Sequence, residues 1–295
     1  MKKVALLFSV FGILLLFLSN SYGQSENDST LYRIETKDGN QYIGTIVSMD
    51  STIIQFNSNS VGTISIPKQL VEVITPVSPE KIIAGKYWAE NPQSTRYFFQ
   101  PNGYGMKRGE GYYQNVWVLF NQFSVSLTEN LSLGAGIVPL FLIAGAPTPV
   151  WIAPKFSLPV VRDKFNLGGG ALIGTILGEE ETGFGILYGV STFGNRDNNV
   201  NIGLGYGYAS GGFAKTPTIS VSTMLRTGPR GYFISENYYI STADEFVIIF
   251  SLGGRALTRS NVGIDYGLII PFNTGAEEFI AIPWLGVTLP FKSKK

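Results

Sequence analysis

The sequence predicts an all-β protein: a transmembrane antiparallel β-barrel of about twelve strands, preceded by a small five-stranded β module. Three observations support this fold class. The chain is apolar, with 44% hydrophobic and only 15% charged residues, whereas about a quarter of an average soluble domain is charged. Beyond the N-terminus, polar residues, glycine or proline break every apolar stretch, so no further membrane-spanning helix is expected. The C-terminal two thirds instead alternates apolar with small or polar residues.

Residues 1–23 have the features of a secretory signal peptide. Two lysines precede an uncharged apolar run from Val4 to Leu18, which is shorter than the ~20 residues of a spanning helix. Ser21-Tyr22-Gly23 then has the small-x-small pattern of a cleavage site. We therefore expect a mature, exported chain that begins at Gln24; the alternative is a retained N-terminal anchor helix.

The composition excludes several classes of function. The chain has no histidine, which removes the commonest general base, the Ser-His-Asp arrangement and most zinc sites. It has no cysteine, and so neither disulfides nor a lipid-anchoring cysteine. Setting aside the two lysines of the signal leaves 20 basic residues against 21 acidic ones, without a basic cluster for nucleic acid. We expect no catalytic residue, no cofactor and no metal site; Glu179-Glu180-Glu181 is interpreted as a solvated loop.

Residues 24–76 are predicted to form the small β module. Lys37-Asp38-Gly39-Asn40 is a strong hairpin signal between its first two strands. The spacing of short strands and turns resembles closed barrels of the SH3 or Sm type. Because the chain is exported, we expect a periplasmic module that is either structural or docks a protein partner through residues 31–75. The predicted strands are Leu31 to Thr36, Gln41 to Ser48, Thr52 to Asn57, Gly62 to Ile66 and Val71 to Thr75.

Residues 77–93 are predicted as a linker, since Pro76 and Pro79 interrupt the strand pattern. The barrel then spans residues 94–291, and residues 292–295 form a C-terminal tail. The predicted barrel strands are Ser94 to Phe99, Tyr113 to Thr128, Leu131 to Leu142, Val150 to Val160, Phe165 to Ile176, Phe184 to Phe193, Val200 to Tyr208, Pro217 to Leu225, Gly231 to Ile240, Phe246 to Leu257, Val262 to Ile270 and Phe279 to Phe291.

Alternation is clearest from Asn199 to Tyr208, where one face is apolar and the other is mostly glycine. The same period of two recurs from Phe184 to Thr192 and from Val262 to Ile270. An apolar face toward lipid and a small or polar face toward the lumen suit a membrane barrel. A soluble sandwich or lipocalin-like barrel would place the apolar face inward, and alternation alone does not distinguish the two. Pro154 and Pro283 fall within predicted strands, where we expect bulges or different strand limits.

Turns and aromatic residues favour the membrane. An even strand number places both termini on one side, the periplasmic side in bacterial barrels. Tight turns at 128–130, 162–164 and 258–261 are assigned to that side, and longer loops such as Gln100 to Tyr112 to the other. Aromatic residues near strand ends suggest two interfacial girdles. The first comprises Tyr112, Tyr113, Phe141, Tyr206, Tyr208, Tyr238, Tyr239, Phe246, Phe272 and Phe279, and the second Phe165, Phe193, Phe233 and Phe291.

Three segments, residues 91–115, 121–142 and 147–160, resemble a group of uncharacterised outer-membrane β-barrel proteins of Bacteroidota. They read NPQSTRYFFQPNGYGMKRGEGYYQN, NQFSVSLTENLSLGAGIVPLFL and PTPVWIAPKFSLPV. The resemblance covers nearly the whole chain, including the N-terminal β module. It implies the barrel architecture but no catalytic or ligand residues, because none is established for the group.

Alternation places four charged residues on the lumen face: Lys155, Glu236, Arg255 and Asp265. Arg255 and Asp265 flank one hairpin and are expected to pair across it. A charged lumen suits a narrow channel for ions or small solutes in the outer membrane. Alternatively, these charges pair within a closed barrel, filled by Trp151, Trp284 and loops, that anchors the periplasmic module. Both non-enzymatic functions stay open at this point.

Overall fold

The computed structural model describes residues 30–180, 182–241, 246–273 and 279–292. The chain divides into two compact units, one ending at Tyr87 and the other beginning at Trp88. The predicted signal peptide and residues 293–295 of the predicted tail lie outside the described residues. Within the described ranges, no helix is long and apolar enough to span a membrane.

The first unit contains the predicted five-stranded antiparallel sheet. Its strands are β1 (Tyr32–Thr36), β2 (Gln41–Met49), β3 (Ile53–Ser58), β4 (Gly62–Pro67) and β5 (Val71–Pro76), in the order β4-β3-β2-β1-β5. A two-stranded hairpin follows, β6 (Ile82–Ile83) and β7 (Lys86–Tyr87).

Every strand of this sheet lies within two residues of its predicted limits. Ile34, Ile54, Phe56 and Ile66 are buried between its strands as a small core. The SH3- or Sm-like assignment of the sheet stays a prediction.

The second unit is an antiparallel barrel of twelve strands, as the sequence predicts. Pairing between β13 and β14 and between β8 and β20 closes the sheet. A two-residue strand, β15 (Gly212–Phe213), only extends the edge of β14. The twelve strands are β8 (Glu110–Val116), β9 (Phe120–Ser126), β10 (Leu131–Ile137), β11 (Thr148–Val161), β12 (Phe165–Leu177), β13 (Phe184–Gly194), β14 (Asn199–Ala209), β16 (Thr218–Arg226), β17 (Gly231–Ser241), β18 (Phe246–Leu257), β19 (Gly263–Phe272) and β20 (Ile282–Lys292).

Two predicted barrel strands are wrong, but the predicted number of strands is right, because one is not a strand and the other is two strands. Ser94 to Phe99 is not a strand and lies inside the barrel. The single strand predicted from Tyr113 to Thr128 is two strands, β8 and β9, joined by a hairpin. Trp117 and Val118 form its turn with φ angles of 52° and 65°. Glycine and asparagine usually occupy such positions, so two apolar residues concealed the turn from sequence reasoning.

The apolar faces of most strands point outward. In β14, Val200, Ile202 and Leu204 are exposed, Ile202 by 51%, whereas Asn201 and Gly203 are buried on the inner face. In β19, Ile264 and Tyr266 are likewise exposed, and Asp265 between them is buried. A surface of this kind is stable when it faces lipid, because exposed apolar side chains in water are unfavourable.

Strand β13 differs from β14 and β19. Its alternating set Ile186, Tyr188 and Val190 points inward, and Leu187 and Phe193 are exposed on the other face. Pairing explains the direction: Tyr188 lies opposite Gly205 and Val190 opposite Gly203. These glycines of β14 carry no side chain on the inner face, which leaves space for the large residues of β13. This part of the inner wall is therefore apolar.

The aromatic girdles are only partly as predicted. Tyr112 is buried, and Tyr238 faces the lumen, where its hydroxyl bonds the Glu236 carboxylate. Both assignments to an outer girdle are therefore wrong. Outward-facing aromatic residues near the strand ends are Tyr206, Tyr239, Phe246 and Phe272 at one end, and Phe193, Phe233 and Phe291 at the other.

The two prolines produce no bulge. At Pro154, which lacks an N–H, the ladder between β11 and β12 skips two residues and resumes at Lys155 in the same register. Pro283 lies where β20 extends beyond β8, because the pairing of these two strands begins at Gly286. Strand β20 therefore has no ladder partner at Pro283 on that side.

The short turns at 127–130, 162–164 and 258–262 share one end of the barrel with the start of β8 and the end of β20. We call it the short-turn end. The predicted outer loop Gln100 to Tyr112 is wrong, because most of it lies in the barrel interior.

At the opposite end, a five-residue helix, α1 (Pro139–Ile143), follows β10. Its side chains from Leu140 to Ile143 are apolar and exposed. Strands β8 to β10 have seven residues each, whereas β11 has 14. The apolar helix thus extends the outer surface where the neighbouring strands are short.

Candidate functional site

Residues 91–106, here called the inner segment, lie inside the barrel near the short-turn end. Only the side chain of Phe99 is exposed in this segment. The segment folds back on itself: the Tyr97 N–H donates to the Gln100 carbonyl (2.9 Å) and the Asn102 N–H to the Thr95 carbonyl (3.1 Å). Residues 97–100 form the tip of this loop.

Hydrogen bonds attach the inner segment to six strands of the barrel. The bonds join Phe98 O to Gln114 of β8, Met106 O to Ser126 of β9, Gly103 N to Thr192 of β13, Tyr97 Oη to Asn199 of β14, Gln100 to Ser220 and Ser222 of β16, and Gln93 to the Thr288 carbonyl of β20.

A buried ion cluster joins the inner segment to β18 and β19. The Asp265 carboxylate accepts from Arg255 through Nε (2.5 Å) and Nη2 (3.0 Å), and from Arg96 through Nη1 (3.0 Å). All three side chains are almost completely buried. Other guanidinium donors bond backbone carbonyls, Arg255 those of Gln93 and Tyr97, and Arg96 those of Tyr97 and Phe98. Arg96 Nη2 donates to the side chains of Gln93 and Thr288. One carboxylate therefore holds two cations, one from the wall and one from the inner segment.

Glu236 of β17 binds the tip of the loop. Its Oε2 accepts hydrogen bonds from the backbone N–H groups of Phe99 and Gln100, both at 3.0 Å. Its Oε1 accepts from the Tyr238 hydroxyl at 2.8 Å. No cation pairs with this buried carboxylate among the described residues. Its negative charge is stabilised by the oriented N–H groups of the tip.

Lys155 of β11 binds the two ends of the loop. Its Nζ donates to the carbonyls of Thr95 (3.1 Å) and Tyr104 (2.7 Å). No carboxylate pairs with this buried ammonium in the described part of the chain. Each of the two unpaired wall charges, Lys155 and Glu236, thus bonds backbone groups of the inner segment.

The inner segment also has an apolar contact surface. Tyr97 and Phe98 belong to a buried cluster with Met224, Ile234 and Trp284 of the wall. The rings of Phe98 and Trp284 are 5.5 Å apart between centroids. The segment is therefore held by apolar packing on one side and by charges and hydrogen bonds elsewhere.

Beside the loop, the lumen retains a cavity of about 150 Å³. Gln100, Arg96 and Thr95 of the inner segment form one boundary of this cavity. The barrel supplies Lys155, Gln122, Tyr188 and Tyr238 as polar lining, and Leu172, Ile186 and Val190 as apolar lining.

The four charges predicted for the lumen all point into the barrel interior, and Arg255 and Asp265 do pair across β18 and β19. Sequence reasoning missed their other partner, the inner segment with Arg96. The turn-rich stretches NPQST and QPNGYG were the available signal, because such residues disfavour a strand. No group of three or more metal-ligating side chains occurs among the described residues, which omit Glu181.

No protein-family model and no curated protein matches the sequence. Among solved structures, the chain is similar to the KdgM porin, with 9% identity and a TM-score of 0.47 over 63% of this chain and 99% of the porin. It is also similar to the KdgM porin in complex with disordered oligogalacturonate, with 8% identity and a TM-score of 0.45, over 63% of this chain and 98% of that one. At these values no residue role and no ligand carries over to this chain.

Proposed function

We propose that the protein is a non-enzymatic outer-membrane channel for ions or small solutes, which the inner segment closes in the described state. The short-turn end would face the periplasm, with residues 31–75 on that side of the membrane. The outward apolar surface and the even number of strands support this placement.

One observation carries the proposal: outside the apolar cluster with Met224, Ile234 and Trp284, the barrel wall behind the inner segment is polar. Besides Lys155, Glu236, Arg255 and Asp265, it presents hydroxyl and amide side chains on many strands. Examples are Ser124, Ser157, Thr192, Asn201, Ser222 and Thr288. Such a wall would hold water if the segment moved away, because its polar groups would bond water instead. A barrel that only anchored another module would gain more stability from an apolar core.

The size of the barrel agrees with this function. Eight strands enclose just enough room for packed side chains, whereas 16–18 strands leave an open aqueous channel. Twelve strands lie between these limits. They leave room for a folded loop such as residues 95–102, or for a narrow channel once the loop is displaced.

The experiment that tests the proposal is single-channel recording in planar bilayers. Replacing residues 91–106 by a glycine-serine linker of equal length should produce steady conductance steps, whereas the unmodified protein should conduct rarely. Glu236→Gln is a second variant, in case the replacement does not fold. It weakens the hold on the tip and should increase the frequency of openings. Glu110→Gln, which alters a rim ion pair with Lys292, is the matched control.

Absence of conductance in a folded linker variant would contradict the channel. It would favour the alternative function, a non-conducting anchor whose N-terminal module docks a periplasmic partner. No contact among the described residues supports that alternative independently. Equal conductance of the unmodified protein and the linker variant would show that the inner segment does not close the lumen.

A further inference from the structure

The cavity beside the loop has an unbalanced charge. Two cationic side chains line it, Lys155 from β11 and Arg96 from the inner segment, and no aspartate or glutamate does. Lys155 Nζ bonds the carbonyl of Thr95, the residue before Arg96. The interior carboxylates bond elsewhere: Asp265 binds the two arginines and Glu236 the tip of the loop.

Both cations retain unused donors. Arg96 Nε is buried and has no hydrogen-bond partner among the described residues. An ammonium group has three N–H donors, and Lys155 uses two of them on the carbonyls of Thr95 and Tyr104. Buried donors without acceptors are unfavourable, since desolvation is then not offset. An anion in the cavity would supply an acceptor for the third N–H of Lys155.

The rest of the lining limits what this anion would be. Leu172, Ile186 and Val190 provide an apolar surface. A volume of about 150 Å³ is also that of an engineered protein cavity that admits benzene. The cavity therefore suits a compact apolar body of about one six-membered ring that carries a single negative group.

We propose that this cavity is a binding site for a small carboxylate with a compact apolar body, whose carboxylate bonds the Lys155 ammonium. The inference rests on the proposed channel, since it names the class of solute that the lumen would accept. The apolar wall formed by β13 and the glycines of β14 contacts the body of the ligand. Gln122, Tyr188 and Tyr238 offer further hydrogen bonds to polar substituents.

Isothermal titration of the full-length protein in detergent micelles tests the site, with benzoate as the probe. Benzamide has nearly the same shape without the charge, and should bind at least tenfold more weakly. Titration into empty micelles corrects for partitioning of the ring. Lys155→Met keeps an unbranched chain and removes the ammonium, and should weaken benzoate binding at least tenfold. Lys164→Met, in an exposed turn, should leave binding unchanged.

Equal affinity for benzoate and benzamide in the unmodified protein would overturn the site, and this comparison needs no variant. Unchanged benzoate affinity in a folded Lys155→Met protein would overturn it as well. The two proposals fail separately. If the linker variant conducts but the protein does not bind benzoate, the proposed binding site is wrong and the proposed channel stands. If the protein binds benzoate but the linker variant does not conduct, the proposed channel is wrong and the proposed binding site stands.

Discussion

Asp265→Asn should destabilise the barrel more than any other single neutralisation in its wall. The Asp265 carboxylate holds two guanidinium groups, Arg255 of the wall and Arg96 of the inner segment, through three hydrogen bonds of 2.5 to 3.0 Å. Asparagine retains the shape but loses the charge, and its amide nitrogen is a donor that faces other donors. Two buried cations would then remain without an anion.

The expected magnitude follows from the burial of the cluster. All three side chains are shielded from solvent. Removing one partner of a buried ion pair costs about 3–5 kcal/mol, since the remaining charge stays desolvated. We therefore expect Asp265→Asn to lower the free energy of unfolding by about 3–5 kcal/mol. Without the carboxylate, Arg96 and Arg255 repel each other. Moving Arg96 away costs less free energy than unfolding the barrel, and so the inner segment should leave the lumen before the barrel unfolds.

The assay combines two measurements on the same detergent-solubilised protein. Urea unfolding followed by tryptophan fluorescence gives the loss of stability. Limited trypsin digestion reports whether Arg96, buried in the unmodified protein, becomes accessible. Asp163→Asn is the matched control, because Asp163 forms an exposed ion pair with Arg162 at 3.7 Å. Such a pair contributes about 0–1 kcal/mol.

A loss of stability similar to that of Asp163→Asn, with Arg96 still protected from trypsin, would refute the reasoning. A double-mutant cycle sharpens the test. Arg96→Met leaves the pair between Arg255 and Asp265 intact, so its effect should not add to that of Asp265→Asn. A coupling energy of about 0.5–3 kcal/mol is expected for residues in one ion network, and simple additivity would argue against a shared cluster.

Two further predictions concern the wall of the barrel. Gly203→Ala places a methyl group against Ser220 and the Gln100 amide. It should lower the free energy of unfolding in urea by about 1–3 kcal/mol and make the inner segment accessible to protease. Gly189→Ala on the neighbouring strand meets no atom within 4 Å, and an equal effect of the two substitutions would contradict the packing. Ile143→Asp in α1, where the isoleucine is 81% exposed, should lower stability in lipid vesicles by about 1–2 kcal/mol, since we expect α1 to contact lipid. No difference from Ser210→Asp, at an exposed polar turn, would place α1 outside the bilayer.

Much of the fold was accessible from the sequence. The strands of the N-terminal sheet and most strands of the barrel follow from local alternation and from turn residues such as Lys37-Asp38-Gly39-Asn40. The short turns and the pairing of Arg255 with Asp265 also follow, since both depend on neighbouring strands. The turn at Trp117 and Val118 was missed, because apolar residues occupy positions with positive φ.

The direction of each strand face needed the tertiary structure. Alternation defines two faces of a strand but does not tell which one faces the lumen. The inward face of β13 is set by its pairing with Gly203 and Gly205, and not by its own sequence pattern.

The sequence by itself determined that the chain forms a β-barrel with a charged interior and no histidine chemistry. These properties depend on composition and on a period of two, which each strand carries locally. Only the tertiary structure decided what the interior charges contact. Arg96 and Asp265 are 169 positions apart along the chain, and only closure of the barrel brings them to 3.0 Å. The position of the inner segment inside the barrel arises from such long-range contacts, which no local pattern in the sequence encodes.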